Sequence, residues 1–384
     1  MIYYALLLFF VLEYVRPGSY VPALNLLRLN SLVPVAVILG TIVSKGPVSS
    51  REVLSETNSK IILGLLGLIF VSIVLTAEVT LYAYEVFKTV LGYVLVYWVI
   101  TKQVTDLDRM KGLFKTLVFV HLMLAALTPQ MFLDPEARHA LASGTFLGDG
   151  NDYSLSVNLV IPFCLFLFFE ARRVVGKLIW GGALLTLILA VVATKSRGGT
   201  LALVCVGAYY WWKSDRKFVT GLLASLAIAA ILVAAPPTYF ERMNTISALE
   251  TDGSAQGRLE AWQGSMRMAA SNPLLGVGAG QFPGNFVRFA RPAEGNYGRW
   301  MTAHSIYFLI LGELGLPGLG LLIAFIVSNI MANRRVAREV QKLAAGETAE
   351  VRLLQSMSAS VLAYAIAGAF LSATYYPHMF VVGG

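Results

Sequence analysis

Repeated apolar runs of up to roughly 20 residues constrain this chain more than any other feature, because a helix of about that length crosses a bilayer core. They run over Ile2–Val15, Leu24–Val43, Ile61–Ala77, Val86–Ile100, Leu113–Leu127, Tyr153–Phe169, Leu178–Ala193, Thr200–Trp212, Phe218–Ala235, Ser305–Ile330 and Leu353–Ala373. A soluble domain carries about a quarter charged residues. Here 14% of 384 residues are charged and 57% are hydrophobic. The fold class is therefore an all-α polytopic membrane protein with about 11–12 transmembrane helices, a further one beginning where Met379–Val382 turns apolar again. The first run lacks a basic leader and a small-residue cleavage site, so it reads as a helix and not as a removed signal peptide.

Basic residues orient the bundle. Arg172, Arg173 and Lys177 share one short loop, Lys213, Arg216 and Lys217 another, and Arg334, Arg335, Arg338 and Lys342 a third. Counting spans places all three on one face, with Lys102, Arg109 and Lys111. That face is expected to be cytoplasmic, together with the N-terminus. The net charge of +8 reflects these loops and does not argue for nucleic acid. Cys164 and Cys205 lie inside apolar runs and read as small core residues. The mixed-charge stretch Asn333–Arg352 reads as a solvated or interfacial helix.

One long polar insertion interrupts the pattern. Three regions follow: residues 1–235 with the first nine helices, a large outer-face loop over 236–302, and C-terminal transmembrane helices over 303–384. The loop holds Arg242, Arg258, Arg267, Arg288, Arg291 and Arg299, no lysine, and only five acids. Arginine presents a planar fork that matches phosphate oxygens and stays charged at any relevant pH. For a single loop arginine the alternative is a surface ion pair, Arg258 with Glu241, Glu250 or Glu260 for example.

The other outer segments are Pro129–Gly150, the tight connection Thr194–Gly199, and Tyr375–His378. Lys195 and Arg197 place two positive charges in that connection, where the orientation rule disfavours them. A local anionic partner explains the pair, and Gly198 and Gly199 would let backbone N–H groups approach it. Snorkelling to the headgroups is the alternative, for Arg197 and for Arg28.

In the loop a helix is expected to start near Ser254, with Leu259, Trp262 and Met266 on one apolar face against the membrane. The segment Asn272–Phe282, with Gly276, Gly278 and Gly280, lacks the spacing of a nucleotide-binding loop and reads as a tight turn packed on a helix end. Among the histidines, His121 reads as a satisfied core residue, and His139 and His378 have no distinctive setting. His304 stands where the loop re-enters the membrane, placed to take a proton from an acceptor hydroxyl or merely to hydrogen-bond near a cap. Glu313, nine residues on, is expected to face the bundle interior and pair there. No metal-ligand spacing occurs on the outer face, so neither a metal nor another cofactor is expected.

Several short segments together resemble the bacterial O-antigen ligases and related polymerases. They are Asn151-Asp152-Tyr153, Ser196-Arg197-Gly198-Gly199, Arg258 with Trp262, Pro273 with Gly276–Phe282, Ala303-His304-Ser305 and Leu311–Gly315. The resemblance implies an inverting membrane glycosyltransferase of the inner membrane, its active site facing the periplasm. It implies an undecaprenyl-diphosphate-linked glycan as donor and a lipid A-core hydroxyl as acceptor. It also implies a functional trio matching Arg197, Arg258 and His304, to which the charge pair in the tight connection adds Lys195 beside the diphosphate. A polymerase or a protein O-glycosylation ligase shares that donor. A transporter or lipid flippase, from another class, calls for ionisable residues deep in several spans, whereas here the charge gathers at one face.

Overall fold

The computed structural model describes residues 1–44, 48–134, 146–222, 225, 229, 253–290, 301–344 and 348–383. These residues form helices joined by turns, with no strand among them. Seven helices are long and apolar enough to cross a membrane: Pro22–Val43, Thr57–Leu75, Thr80–Gln103, Leu107–Leu127, Gly150–Glu170, Val174–Ala193 and Ile306–Ala344. Ile2–Val15, Arg197–Lys213 and Ala349–Gly368 are also helical, while most of the expected Phe218–Ala235 span lies outside the described residues. The protein is an all-α polytopic membrane protein.

Over the stretch read as a solvated or interfacial helix, residues 333–344 are the largely exposed polar end of the Ile306–Ala344 helix and residues 349–352 begin the next one. The end of the chain forms a short buried helix, His378–Gly383.

The chain divides into two compact units. The first comprises Met1–Val48, Val99–Asn244 and Ile330–Ala367. Its centre is the Gly150–Glu170 helix, buried along most of its length. Asp149 caps that helix by accepting from the Asn151 N–H at 2.7 Å. Phe114 stacks on Phe163 at 4.0 Å and meets Phe166 edge-on, joining the Leu107–Leu127 helix to it. Glu170 accepts two bonds from Arg352 and pairs with Lys111 at 3.1 Å, so the one acid ending this helix is neutralised. His121 is a satisfied core residue, as its place in an apolar run suggests. Its ring meets the Leu117 carbonyl at 2.7 Å and Ser156 Oγ at 2.6 Å.

The second unit comprises Ser49–Trp98, Thr245–Asn329 and Gly368–Gly384. Its core gathers Ala261, Met268, Phe282, Phe286, Met301, Ala303 and Leu309, so the described part of the polar insertion contributes to the core. A stripe of small residues (Gly257, Ala261, Gly264 and Ser265) is the buried face of the Gly253–Ser271 helix and permits close packing. Leu259 and Met266 are exposed while Trp262 turns inward, so the three do not share a single environment.

Candidate functional site

In the first unit the Val174–Ala193 helix ends in a sharp turn. Lys195 adopts a left-handed backbone with φ 55° and is 4% exposed. Ser196 then caps the next helix, its Oγ accepting the Gly199 N–H at 3.2 Å. Arg197 follows at the first helical position, half-buried.

The glycine at 199 serves packing and not anion approach, since a Cβ there would collide with the Ser154 hydroxyl and its N–H is held by the cap. Asn158 braces the same point, donating to the Gly199 carbonyl at 3.1 Å and the Ser154 carbonyl at 2.8 Å. Neither Ser154 nor Asn158 carried a signal in the sequence beyond lying just after Asn151-Asp152-Tyr153. Arg28 is exposed at a left-handed junction between a 3₁₀ turn and the Leu29–Val43 helix.

In the second unit the helix bearing Arg258 docks on the segment bearing His304. A Cβ at Gly257 would meet the Met301 methyl group, and the Trp262 indole N–H donates to the Ala303 carbonyl at 3.0 Å. The indole also stacks on Phe308, 4.9 Å between ring centres. Arg258 therefore lies between two contacts that both land within three residues of His304.

His304 has φ 48°, a conformation that costs a non-glycine residue energy unless its surroundings impose it. Those surroundings are a polar strap. The His304 N–H donates to Ser372 Oγ at 2.7 Å, the Thr302 and Ser372 hydroxyls bond to each other, and Thr374 donates to the Ile306 carbonyl at 3.2 Å. The helix that follows starts at Ile306, one residue after the start of the apolar run. Ser372 and Thr374 lie some seventy residues away in sequence, so nothing local announced them.

The other described loop arginines have structural partners. Arg288 pairs with Glu78 at 3.1 Å on the surface, and Arg267 donates to the Phe289 and Ala290 carbonyls at 2.8 Å, closing the end of the Phe282–Ala290 helix. Arg242, Arg291, Arg299 and His139 lie outside the described residues, as do the acids Glu241 and Glu250.

The glycine-rich segment is a structural splice. The Ile306–Ala344 helix breaks at Gly315, with φ 65° and ψ −161°. Backbone from the preceding loop covers the break. Val277 N–H donates to the Gly312 carbonyl at 3.0 Å, Gly278 N–H to the Glu313 carbonyl at 2.9 Å, and Leu316 N–H to the Pro273 carbonyl at 2.8 Å. Gly276, Gly278 and Gly280 all have positive φ, and a Cβ at Gly276 would strike the Gly312 carbonyl. The tight turn read from the sequence is present, packed on a helix break instead of a helix end.

Beside it Glu313 is buried, accepting the Phe282 N–H at 3.0 Å and the Tyr375 hydroxyl at 2.7 Å. It thus pairs in the interior as expected. Gln281 locks the same segment to Val79, accepting its N–H at 3.0 Å and donating to its carbonyl at 2.9 Å.

In this all-α polytopic membrane protein the first unit thus carries Lys195 and Arg197 at a capped helix start, and the second carries a strapped histidine beside the helix of Arg258. Residues 182–323 match the family described as O-antigen ligase, and the match supports a relation to that family. The match supports a function of the ligase or polymerase type and suggests a membrane glycosyltransferase-like enzyme. Comparison with curated proteins gives no match.

Proposed function

We propose that the chain is an O-antigen ligase that transfers a glycan from undecaprenyl diphosphate to a lipid A-core hydroxyl at the periplasmic face of the inner membrane. The observation that carries this reading is the family match, whose span contains Lys195, Arg197, Arg258 and His304 together. The docking of the Arg258 helix onto the His304 segment supports it, because a transferase needs its charge-stabilising group and its base on one rigid frame.

In the proposed reaction Arg197 and Arg258, with Lys195, hold the donor diphosphate. The acceptor oxygen attacks the anomeric carbon while the bond from that carbon to the diphosphate oxygen breaks, inverting the centre. His304 orients the acceptor hydroxyl and accepts its proton. Undecaprenyl diphosphate leaves carrying the electron pair, its developing charge stabilised by the guanidinium groups.

The test is transfer in detergent from purified undecaprenyl-diphosphate glycan to lipid A core by wild type and His304→Ala. Product from wild type alone supports the assignment. Elongation of the lipid-linked glycan without transfer to core would replace ligase by polymerase, and no donor turnover with any acceptor would reject the enzyme.

A further inference from the structure

The Arg197–Lys213 helix carries the chain about 24 Å from Arg197, at 1.5 Å per residue, before it ends at Lys213. At that far end the first unit holds a cleft of about 590 Å³. Three elements bound it: the end of this helix, the polar end of the Ile306–Ala344 helix, and the Ala349–Gly368 helix. Lys213, Arg334 and Arg338 line it, each exposed.

None of the three makes an ion pair with a described carboxylate. Glu339 pairs with Lys342 and Glu170 with Arg352 and Lys111, leaving those acids engaged elsewhere. The Asn333 side-chain nitrogen is buried in the wall of this cleft with no hydrogen-bond partner among the described residues. Trp212 and Leu362 supply apolar surface.

Basic residues at a helix end help to orient a membrane protein. That role explains the charge of Lys213, Arg334 and Arg338, but not their convergence from separate helices or the unpartnered amide. Arg335 is equally placed for orientation and does not line the cleft.

We propose that this cleft binds the phosphate headgroup of an anionic membrane phospholipid. The two guanidinium forks match phosphate oxygens, Lys213 supplies a point charge, and Asn333 supplies a neutral donor. The glycerol and upper acyl chain lie against Trp212 and Leu362. This site is independent of the chemistry proposed around Arg197, a full helix length away.

Native mass spectrometry of the purified full chain in detergent tests it, titrating phosphatidylglycerol against phosphatidylcholine with the same acyl chains. Wild type should retain phosphatidylglycerol preferentially. Arg334→Gln/Arg338→Gln should weaken that binding roughly thirtyfold, with phosphatidylcholine unaffected. Arg335→Gln should behave as wild type, and Lys213→Gln gives a second, independent loss. Equal retention of the two lipids by wild type, a comparison that needs no variant, overturns the proposal. So does unchanged binding by a double variant that unfolds at the wild-type temperature. Displacement of phosphatidylglycerol by inorganic phosphate at equal concentration would make the cleft a general anion site and overturn its assignment to lipid.

Discussion

Tyr375 donates its phenolic hydroxyl to the buried Glu313 carboxylate at 2.7 Å, across 62 positions of sequence. The same carboxylate accepts the Phe282 N–H, so one side chain joins a membrane helix, the end of the glycine-rich segment and the C-terminal region of the second unit. Glu313→Leu strands both donors in a buried setting, at a cost of about 1–3 kcal/mol for each. Its thermal unfolding in detergent should shift down sharply, while Glu313→Gln, which keeps an acceptor oxygen, should retain most of the stability.

Burial, and then the charge of Glu313, hold the Tyr375 phenol well above its ordinary value of 10.0. The phenol therefore stays neutral in the folded chain while it begins to ionise in the unfolded chain above about pH 10. Its stabilising contribution is complete below that pH and is lost as the pH rises further. Unfolding temperatures of wild type and Tyr375→Phe should converge as the pH rises above 10.

Gly276 and Gly315 combine positive φ with backbone on the side where a Cβ would stand. Gly276→Ala and Gly315→Ala should each destabilise by about 2 kcal/mol or more, since both the left-handed conformation and the collision oppose the methyl group. Gly67, in the Thr57–Leu75 helix, has open space around its Cβ position. Gly67→Ala should be neutral or slightly stabilising in the same unfolding assay.

Trp262 couples the helix of Arg258 to the segment of His304 through one hydrogen bond and one ring stack. Trp262→Ala removes both and should cost on the order of 2–3 kcal/mol, less than for a fully buried tryptophan because the ring is only partly covered. Trp262→Phe keeps the stack. Glycan transfer should fall steeply in the first variant and be largely preserved in the second, measured at a temperature where both remain folded.

Arg197→Ala and Arg258→Ala should each lower the transfer rate by roughly 10²–10³, the range for removing one donor to developing negative charge. Arg197→Lys should recover little, because an ammonium cannot offer the two parallel donors of a guanidinium. Wild-type transfer rates in either alanine variant would remove that arginine from the site.

Much of this architecture is legible in the sequence because hydropathy and helix ends are local signals. The apolar runs locate the helices, Ser196-Arg197-Gly198-Gly199 locates a capped turn, and an acid at 313 inside an apolar run must have a partner indoors. What the sequence conceals is pairing at a distance. Three glycines at alternate positions announce a turn, but not that its amides answer carbonyls of a broken helix some 35 residues later. The strap from Ser372 and Thr374 to the His304 segment is equally silent. Gly199 misled for a related reason: a glycine beside an arginine suggests an anion, whereas the missing side chain makes room for Ser154.

The splice at Gly315 ties the dynamics of two segments that hydropathy would assign to different solvents. A break in a helix of this length exposes carbonyls that hydrocarbon cannot solvate, and here the amides of Val277 and Gly278 stand in for the missing turn. Neither partner can open alone without leaving polar backbone unmatched. Residues 273–282 and 312–316 should therefore exchange their amide hydrogens at a common rate, as one cooperative unit that includes part of the polar insertion and part of a membrane helix.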